Sequence, residues 1–334
     1  MRRRSVSILI QAVLIFWSIV CLFPLYWIAV TSLKDEAAIM QGPFYLPFID
    51  FMPSLGAWRA ILSYDNDHLL SRLANSVFVT SVSTVLTILF GGMAVYGLTR
   101  FQSRLRWNRL LCSGMAAMLL TSAFYVPALE WQLAFALTGT LLVLVVTRLP
   151  DHGPLIANDQ IRFGILATRI VPPVVVILPL YMMAQRIGAL DTHFALIAAY
   201  SAANLPVAVW LMMPVFGLAA TEQEEAAQLE GASHVRIVFT IFMPMVAGSI
   251  AAIGLVIFVL CWNEYLFAAA LTNDSVSTLP AWVIGQMSIK EAQVGGEGDE
   301  WPQLSAAILF MALPLVFFTV FVQRILGRTA ARVS

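Results

Sequence analysis

The chain has 334 residues, of which 60% are hydrophobic and only 11% charged. Soluble domains carry about 25% charged side chains, so this composition excludes a water-covered globular domain and predicts an all-α, polytopic membrane protein, one transmembrane domain over 1–334. The formal net charge is zero, so any electrostatic meaning lies in where the charges sit; no basic tract suggests a nucleic-acid partner.

Arg2, Arg3 and Arg4 precede an apolar run over 6–30. The run is too long for the core of a cleaved signal and lacks a small-x-small cleavage site, so it reads as a retained first span. A polar, Pro-rich stretch over 34–72 follows, an extracytoplasmic loop. The second span covers 75–98 and ends in Arg100, Arg104, Arg106 and Arg109, an arginine block without an acid that marks the inner face.

Residues 110–146 read as a helical hairpin turning near Pro127 and Glu130, its tip at the outer interface. Arg148, Asp151, Arg162 and Arg169 then form an inner loop. Further spans are expected at 170–183, 194–216, 246–271 and 304–322, within a core over 170–323. The tail carries Arg324, Arg328 and Arg332. The total is about eight spans with both termini cytoplasmic, and the arginine-bearing loops all fall on one side.

The three cysteines (Cys21, Cys112, Cys261) lie singly in apolar runs and read as small buried hydrophobes. The four histidines are scattered, so no metal site is expected, and no Gly-rich loop with Lys and Ser/Thr follows a strand. The chain itself is expected to bind no cofactor. Any nucleotide chemistry belongs to another polypeptide.

The one long polar insert among the later spans is 221–243. Thr221 and Glu224 have capping-box spacing, Glu222, Glu224 and Glu225 suit a helix start, and Ala226, Ala227, Gln228 and Leu229 propagate a helix. Gly231 stops it, because glycine accepts the left-handed turn past a helix end. From Ala232 the chain resumes helically, with Ile237, Ile241 and Met245 expected on one face. Two readings stand: a stiff knob for a partner's groove with Glu225 as its charged contact, or an amphipathic inner loop packed on its own helices.

Residues 224–244 (EEAAQLEGAS, then Ile, Phe and Pro) resemble the EAA motif of binding-protein-dependent ABC importer permeases. The order of ANSVFVTSVSTVL, AVYGLTRF, PPVVVILPLYMMAQRIGALDTHFALI, LPVAVWLM, CWNEYLFAAAL and STLP is similar to maltose-type carbohydrate permeases of the second-subunit lineage, over roughly four-fifths of the chain. The resemblance implies a type I ABC importer permease fold with a cytoplasmic coupling helix. It also implies alternating access, a homologous second permease subunit, two ATPase subunits carrying ATP and Mg, and an extracytoplasmic solute-binding protein. The location is then the bacterial inner membrane. The coupling residues it implies are Glu224, Glu225, Ala226, Ala227, Gly231 and Ala232. Three departures are the hairpin at 110–146, Glu230 where relatives have Asp, and the RTAARVS tail.

Candidate pathway or gate residues are Asn75, Tyr200, Asn204, Asn263 and Glu264. Glu264, with Trp262, Asn263 and Tyr265, offers the aromatic and amide groups a sugar site uses, but a structural or gating role through helix-packing contacts near the outer end of the span is the favoured reading. Asn204 precedes Pro206, where a freed carbonyl can line a cavity. Glu130 suits a wetted hairpin tip, and GGEGDE at 295–300 a solvated loop. Other solutes remain open: a polyol, a glycerol phosphate ester or a sulfonated sugar conjugate. A proton-coupled secondary transporter would need several mid-span carboxylates and an inverted repeat. An intramembrane enzyme would need a catalytic constellation within the spans. Neither is found.

Overall fold

The computed structural model describes residues 2–42, 45–64, 66–101, 155–218, 221–273, 275–285 and 300–333, with short pieces between 113 and 144. Most of the hairpin expected at 110–146, with Cys112 and Glu130, lies outside the described residues, as does GGEGDE apart from Glu300. The described residues are mostly helical, and Pro47 and Phe51 form an isolated β-bridge. Among the described residues, four helices are long and apolar enough to cross a membrane: Leu9–Thr31, Leu69–Arg100, His193–Gly217 and Trp301–Arg324. Two further pairs, Asn158–Ile170 with Pro173–Arg186 and His234–Met245 with Ala247–Trp262, bend by 87° and 85°. Counting each pair as one crossing gives up to 6. Six is also the number the sequence places outside the hairpin.

Two compact units emerge: Met1–Ser76 with Thr278–Val320, and Val77–Ser277 with Phe321–Ser334. The first begins with α1 (Arg2–Thr31). Only 6% of its most apolar window is buried, so this helix presents its sides to lipid or to another chain. The segment expected as a polar loop over 34–72 is largely helical, with α2 (Glu36–Met40), α3 (Gly56–Tyr64) and the start of α4 (Asn66–Arg100). The second span therefore begins well before Asn75; hydropathy misses its polar first turn, while Leu69 and Leu73 already join the core. Asp35 caps α2 by accepting from the Ala38 amide at 3.0 Å. Ala57, Ile61, Leu69, Leu279 and Ala306 form the core of this unit, and Ser76 Oγ accepts from the Leu279 amide at 2.7 Å. Residue Lys34 is buried over the Trp27 and Phe51 rings. The same burial lowers its pKa, with Asp50 opposing.

The second unit holds the rest of α4, then α5 (Asn158–Ala167), α6 (Pro173–Arg186) and α7 (His193–Leu218). It continues with α8 (Thr221–Leu229), α9 (His234–Met245), α10 (Ala247–Trp262) and α11 (Leu266–Leu271). Gly91 and Gly92 let α4 approach its neighbours closely. A Cβ at Gly91 would stand 3.2 Å from Ala208 Cβ, and one at Gly92 would stand 2.7 Å from Met243 Cε, the small-residue packing used between membrane helices.

Two expected spans and one expected loop differ in detail. The 170–183 segment starts at Pro173, because the residue before a proline is driven out of the helical region; Val171 and Pro172 are extended. Arg162 and Arg169, expected together on an inner loop, instead lie on α5 and just beyond it. The 246–271 segment breaks at 263–265, where the Glu264 carboxylate accepts from the Phe267 amide at 3.3 Å and starts α11.

Between α6 and α7 the chain turns on Gly188 (φ 67°), with the Ala189 amide donating to the Ala184 carbonyl at 2.8 Å. Asp191 (φ 57°) then holds the segment after α11: it accepts from the amides of Asn273 at 3.1 Å, Val276 at 3.2 Å and Ser275 at 3.3 Å, and from the Ser275 hydroxyl. Burial opposes the carboxylate's charge, but the Ser275 hydroxyl and these amides outweigh it and hold the pKa below its ordinary value. A depressed folded pKa means stabilisation that is complete above about pH 4, the unfolded value, and lost as pH falls through the folded value. Hydrogen exchange at 272–277 checks this: Asp191→Asn should speed it about tenfold at pH 7, and acidification of the wild type should reproduce the effect.

Candidate coupling site

The C-terminal end of α4 meets α8 and α9 around one carboxylate. Tyr96 and Arg100, one turn apart on α4, share a face. Arg100 Nε lies 2.6 Å from Glu224 Oε2, and the Tyr96 hydroxyl donates to Glu224 Oε1 at 2.5 Å. Tyr96 Oη also lies 3.3 Å from His234 Nδ1. Glu224 is 4% exposed, so this is a buried, charge-assisted anchor rather than a surface ion pair. Aromatic rings enclose it: Phe216 and Phe242 at 4.5 Å, Phe101 and His234 at 5.0 Å, and the Arg100 guanidinium 5.6 Å from the Phe242 ring centre.

The end of α4 is itself capped from α5. Asn158 Nδ2 donates to the carbonyls of Leu98 (2.8 Å) and Phe101 (2.6 Å), and Arg162 donates to Leu98 at 3.0 Å. These take up carbonyls that a helix end leaves unpaired, with a cation where the helix dipole is negative. Arg162 also pairs with Asp159 at 2.9 Å.

Helix α8 consequently has two faces. Glu224 and Ala227, three residues apart, are buried, whereas Glu225, Ala226, Gln228 and Leu229 are exposed, Leu229 by 91%. The helix ends in a Schellman turn. The Ala232 amide donates to Ala227 and the Gly231 amide to Gln228, both at 3.0 Å, with Gly231 at φ 82°. Ala232 is half-buried. Ser233 caps α9 by accepting from the Arg236 amide at 3.4 Å.

The face expected for α9 is corrected. Residues 237–242 form a π-helical turn, whose i→i+5 bonding shifts the helical phase. Ile237, Val238 and Phe242 are buried, Ile241 is half-buried and Met245 exposed. The expected Ile237–Ile241–Met245 stripe assumes an unbroken α-helix.

Of the candidate pathway residues, Tyr200 and Asn204 are buried against α10. Tyr200 Oη donates to the Glu264 carbonyl at 3.0 Å, and Asn204 Nδ2 donates to Tyr200 O at 2.9 Å and lies 3.3 Å from Cys261 Sγ. Cys261 is buried and Cys21 exposed. Asn263 is exposed but folded onto the Val259 carbonyl at 2.8 Å. Asn75 is half-buried on the part of α4 in the other unit. Sequence reasoning missed Tyr96 and Arg100 as partners of Glu224, and His234 as a neighbour of Tyr96; the i,i+4 pair within AVYGLTRF was the available signal. Among the described residues, no group of His, Cys, Asp or Glu could hold a metal ion.

Residues 152–332, more than half of the chain and including α8 with Glu224, match the family described as binding-protein-dependent transport system inner membrane component. The chain belongs to that family. It is 27% identical over 93% of its length to a probable ABC transporter permease protein of Sinorhizobium fredii, covering 90% of that relative. A trehalose/maltose transport system permease protein of Thermococcus litoralis is 22% identical over 96% of this chain and 93% of its own. The fold is similar to that of a chain in a bacterial ABC transporter that imports alginate, with a TM-score of 0.60, 19% identity and 96% of each chain covered.

Two outcomes follow from the anchor geometry. Glu224→Ala should cost about 3–5 kcal/mol by stranding Arg100, and adding Arg100→Met should recover a large part of it in a double-mutant cycle on thermal unfolding. A Cβ on Gly231 meets open space, so substitution there costs backbone strain of about 1–2 kcal/mol. Gly231→Asn should then retain more transport than Gly231→Val in an uptake assay.

Proposed function

We propose that this chain is the pore-forming subunit of an ATP-driven importer that takes up a carbohydrate or carbohydrate derivative by alternating access. Its partners are a homologous second permease, two ATPase subunits that carry ATP and Mg, and an extracytoplasmic solute-binding protein. In this reading α8 faces the cytoplasm, as do both termini, and the chain itself performs no hydrolysis.

The observation that carries it is the two-faced α8. One face is tied to α4 through Glu224, Arg100 and Tyr96, so a push on the helix moves a membrane span as a rigid lever. The opposite face leaves Glu225, Ala226, Gln228 and Leu229 exposed for a partner, with Glu225 as its charge. Ala227, Gly231 and Ala232 serve the shape of the knob, and Glu224 transmits rather than touches the ATPase. Carbohydrate as the cargo rests on likeness to the trehalose/maltose permease over nearly the whole of both chains. The buried placements of Tyr200 and Asn204 favour a packing role for both, and Glu264 acts as the joint between α10 and α11.

Glu225→Arg tests the assignment in the reconstituted complex. ATP hydrolysis stimulated by the binding protein should fall at least tenfold, as expected for reversing one interfacial charge at a cost of a few kcal/mol, while sugar binding to the free binding protein is unchanged. Unaltered stimulation, or labelling of a Glu225→Cys variant only from outside the cell, refutes it.

A further inference from the structure

Arg169 was expected among the arginines of an inner loop, but the structure carries it deep alongside α7. Its Nη1 donates to the Ala203 carbonyl at 2.7 Å. Ala203 lies about 15 Å along α7 from His193 and about 22 Å from Leu218, at 1.5 Å per residue. That is the middle of a membrane-crossing helix. The acceptor neighbours Ala202, whose carbonyl is the one that Pro206, lacking an amide, leaves without its helical donor. Arg169 itself occupies the break between α5 and α6.

A guanidinium is a permanent charge with five donors in a flat fork. Here one N–H is committed to Ala203, the residue is exposed on the chain's surface, and no described carboxylate forms an ion pair with it. Glu264 packs against the same stretch of α7, its carbonyl accepting from the Tyr200 hydroxyl at 3.0 Å. Its carboxylate, however, is turned to the Phe267 amide. Helix α6 begins at the same break, so its dipole adds positive potential there rather than a counter-charge.

A charge at mid-span facing lipid costs about 2.5–3.5 kcal/mol on insertion scales. Capping one carbonyl requires only a neutral donor such as Asn or Ser. The surplus donors and the exposed face are therefore explained by an anion that visits this depth in a water-filled path. Resting on the importer reading above, we propose that Arg169 is an anion-recognition subsite on the translocation path. The carried carbohydrate is then acidic, with a carboxylate, sulfonate or phosphate group that the guanidinium fork receives in two parallel hydrogen bonds.

The test uses the purified complex of this chain with its co-purifying subunits in nanodiscs, without binding protein. Binding of trigalacturonate and of neutral maltotriose is measured by calorimetry. Wild type should prefer trigalacturonate at least tenfold, and the preference should weaken with added salt. Arg169→Gln should abolish the preference, and Arg169→Lys, a point charge without the fork, should keep part of it. Equal binding of the two sugars, binding of neither, or a preference undiminished in Arg169→Gln overturns the subsite. If Arg169→Gln does not assemble, the wild-type preference and its reduction in Arg169→Lys decide. A complex whose ATP hydrolysis responds to the binding protein but shows no charge preference refutes only the subsite. The converse result refutes only the importer reading.

Discussion

Removing a carboxylate from water is costly unless a cation and further hydrogen bonds replace the lost hydration, and this requirement organises the second unit around the C-terminal end of α4. Glu224 meets it with Arg100 Nε on one oxygen and the Tyr96 hydroxyl on the other. The two partners come from the last turns of α4, whose carbonyls are in turn held by Asn158 and Arg162 of α5. Glu224 thereby fixes α8 to the end of α4, and Asn158 and Arg162 fix α5 to the same end. A hydrophobic residue at 224 would pack, but would not set the rotation of α8 about its own axis. Rotation decides which residues face outward, so the ion pair determines the exposed surface of Glu225 and Ala226 without belonging to it.

Hydrogen bonding sets the second constraint. Within hydrocarbon, each unpaired backbone group costs several kcal/mol, so a bent helix needs substitutes for the bonds it loses. The two bent pairs and the gap before α11 each show a local solution. Val171 and Pro172 leave the helical region before Pro173, with Arg169 reaching Ala203 beside them. Val246 separates α9 from α10 with its own amide still bonded to Phe242 at 3.2 Å. The Glu264 carboxylate restarts the chain as α11. Asp191 does comparable work outside the spans, gathering four donors from the segment after α11.

Much of this architecture was legible in the sequence, and what escaped did so for physical reasons. The polar helix from Thr221, its stop at Gly231 and the apolar run lengths depend on local composition, which the chain displays directly. The partner of Glu224 lies 124 residues away, and no local rule links the two; only the i,i+4 pairing of Tyr96 and Arg100 hinted at a shared polar face. The π-helical turn at 237–242 shifts the buried face by one position, a change that hydrophobic periodicity cannot register because Val, Ile and Phe occupy both phases. Span boundaries failed at the prolines and at Asn66, where polar residues continue a helix that hydropathy treats as loop.

Arg169 shows the limit of counting charges most clearly. Positive-inside reasoning treats every arginine near a span as an inner-loop marker. Arg162 lies on α5 against the end of α4, whereas Arg169, only seven residues later, is carried by α5 and the following turn to the level of Ala203. The distinction depends on depth, and depth arises from the break at 171–172 rather than from composition. An arginine placed by such a break escapes the usual penalty only if its exposed side meets water or protein instead of acyl chains. The bend of 87° therefore does more than end one helix and start another: it places a charge that calls for a hydrated or protein-lined surface beside α7.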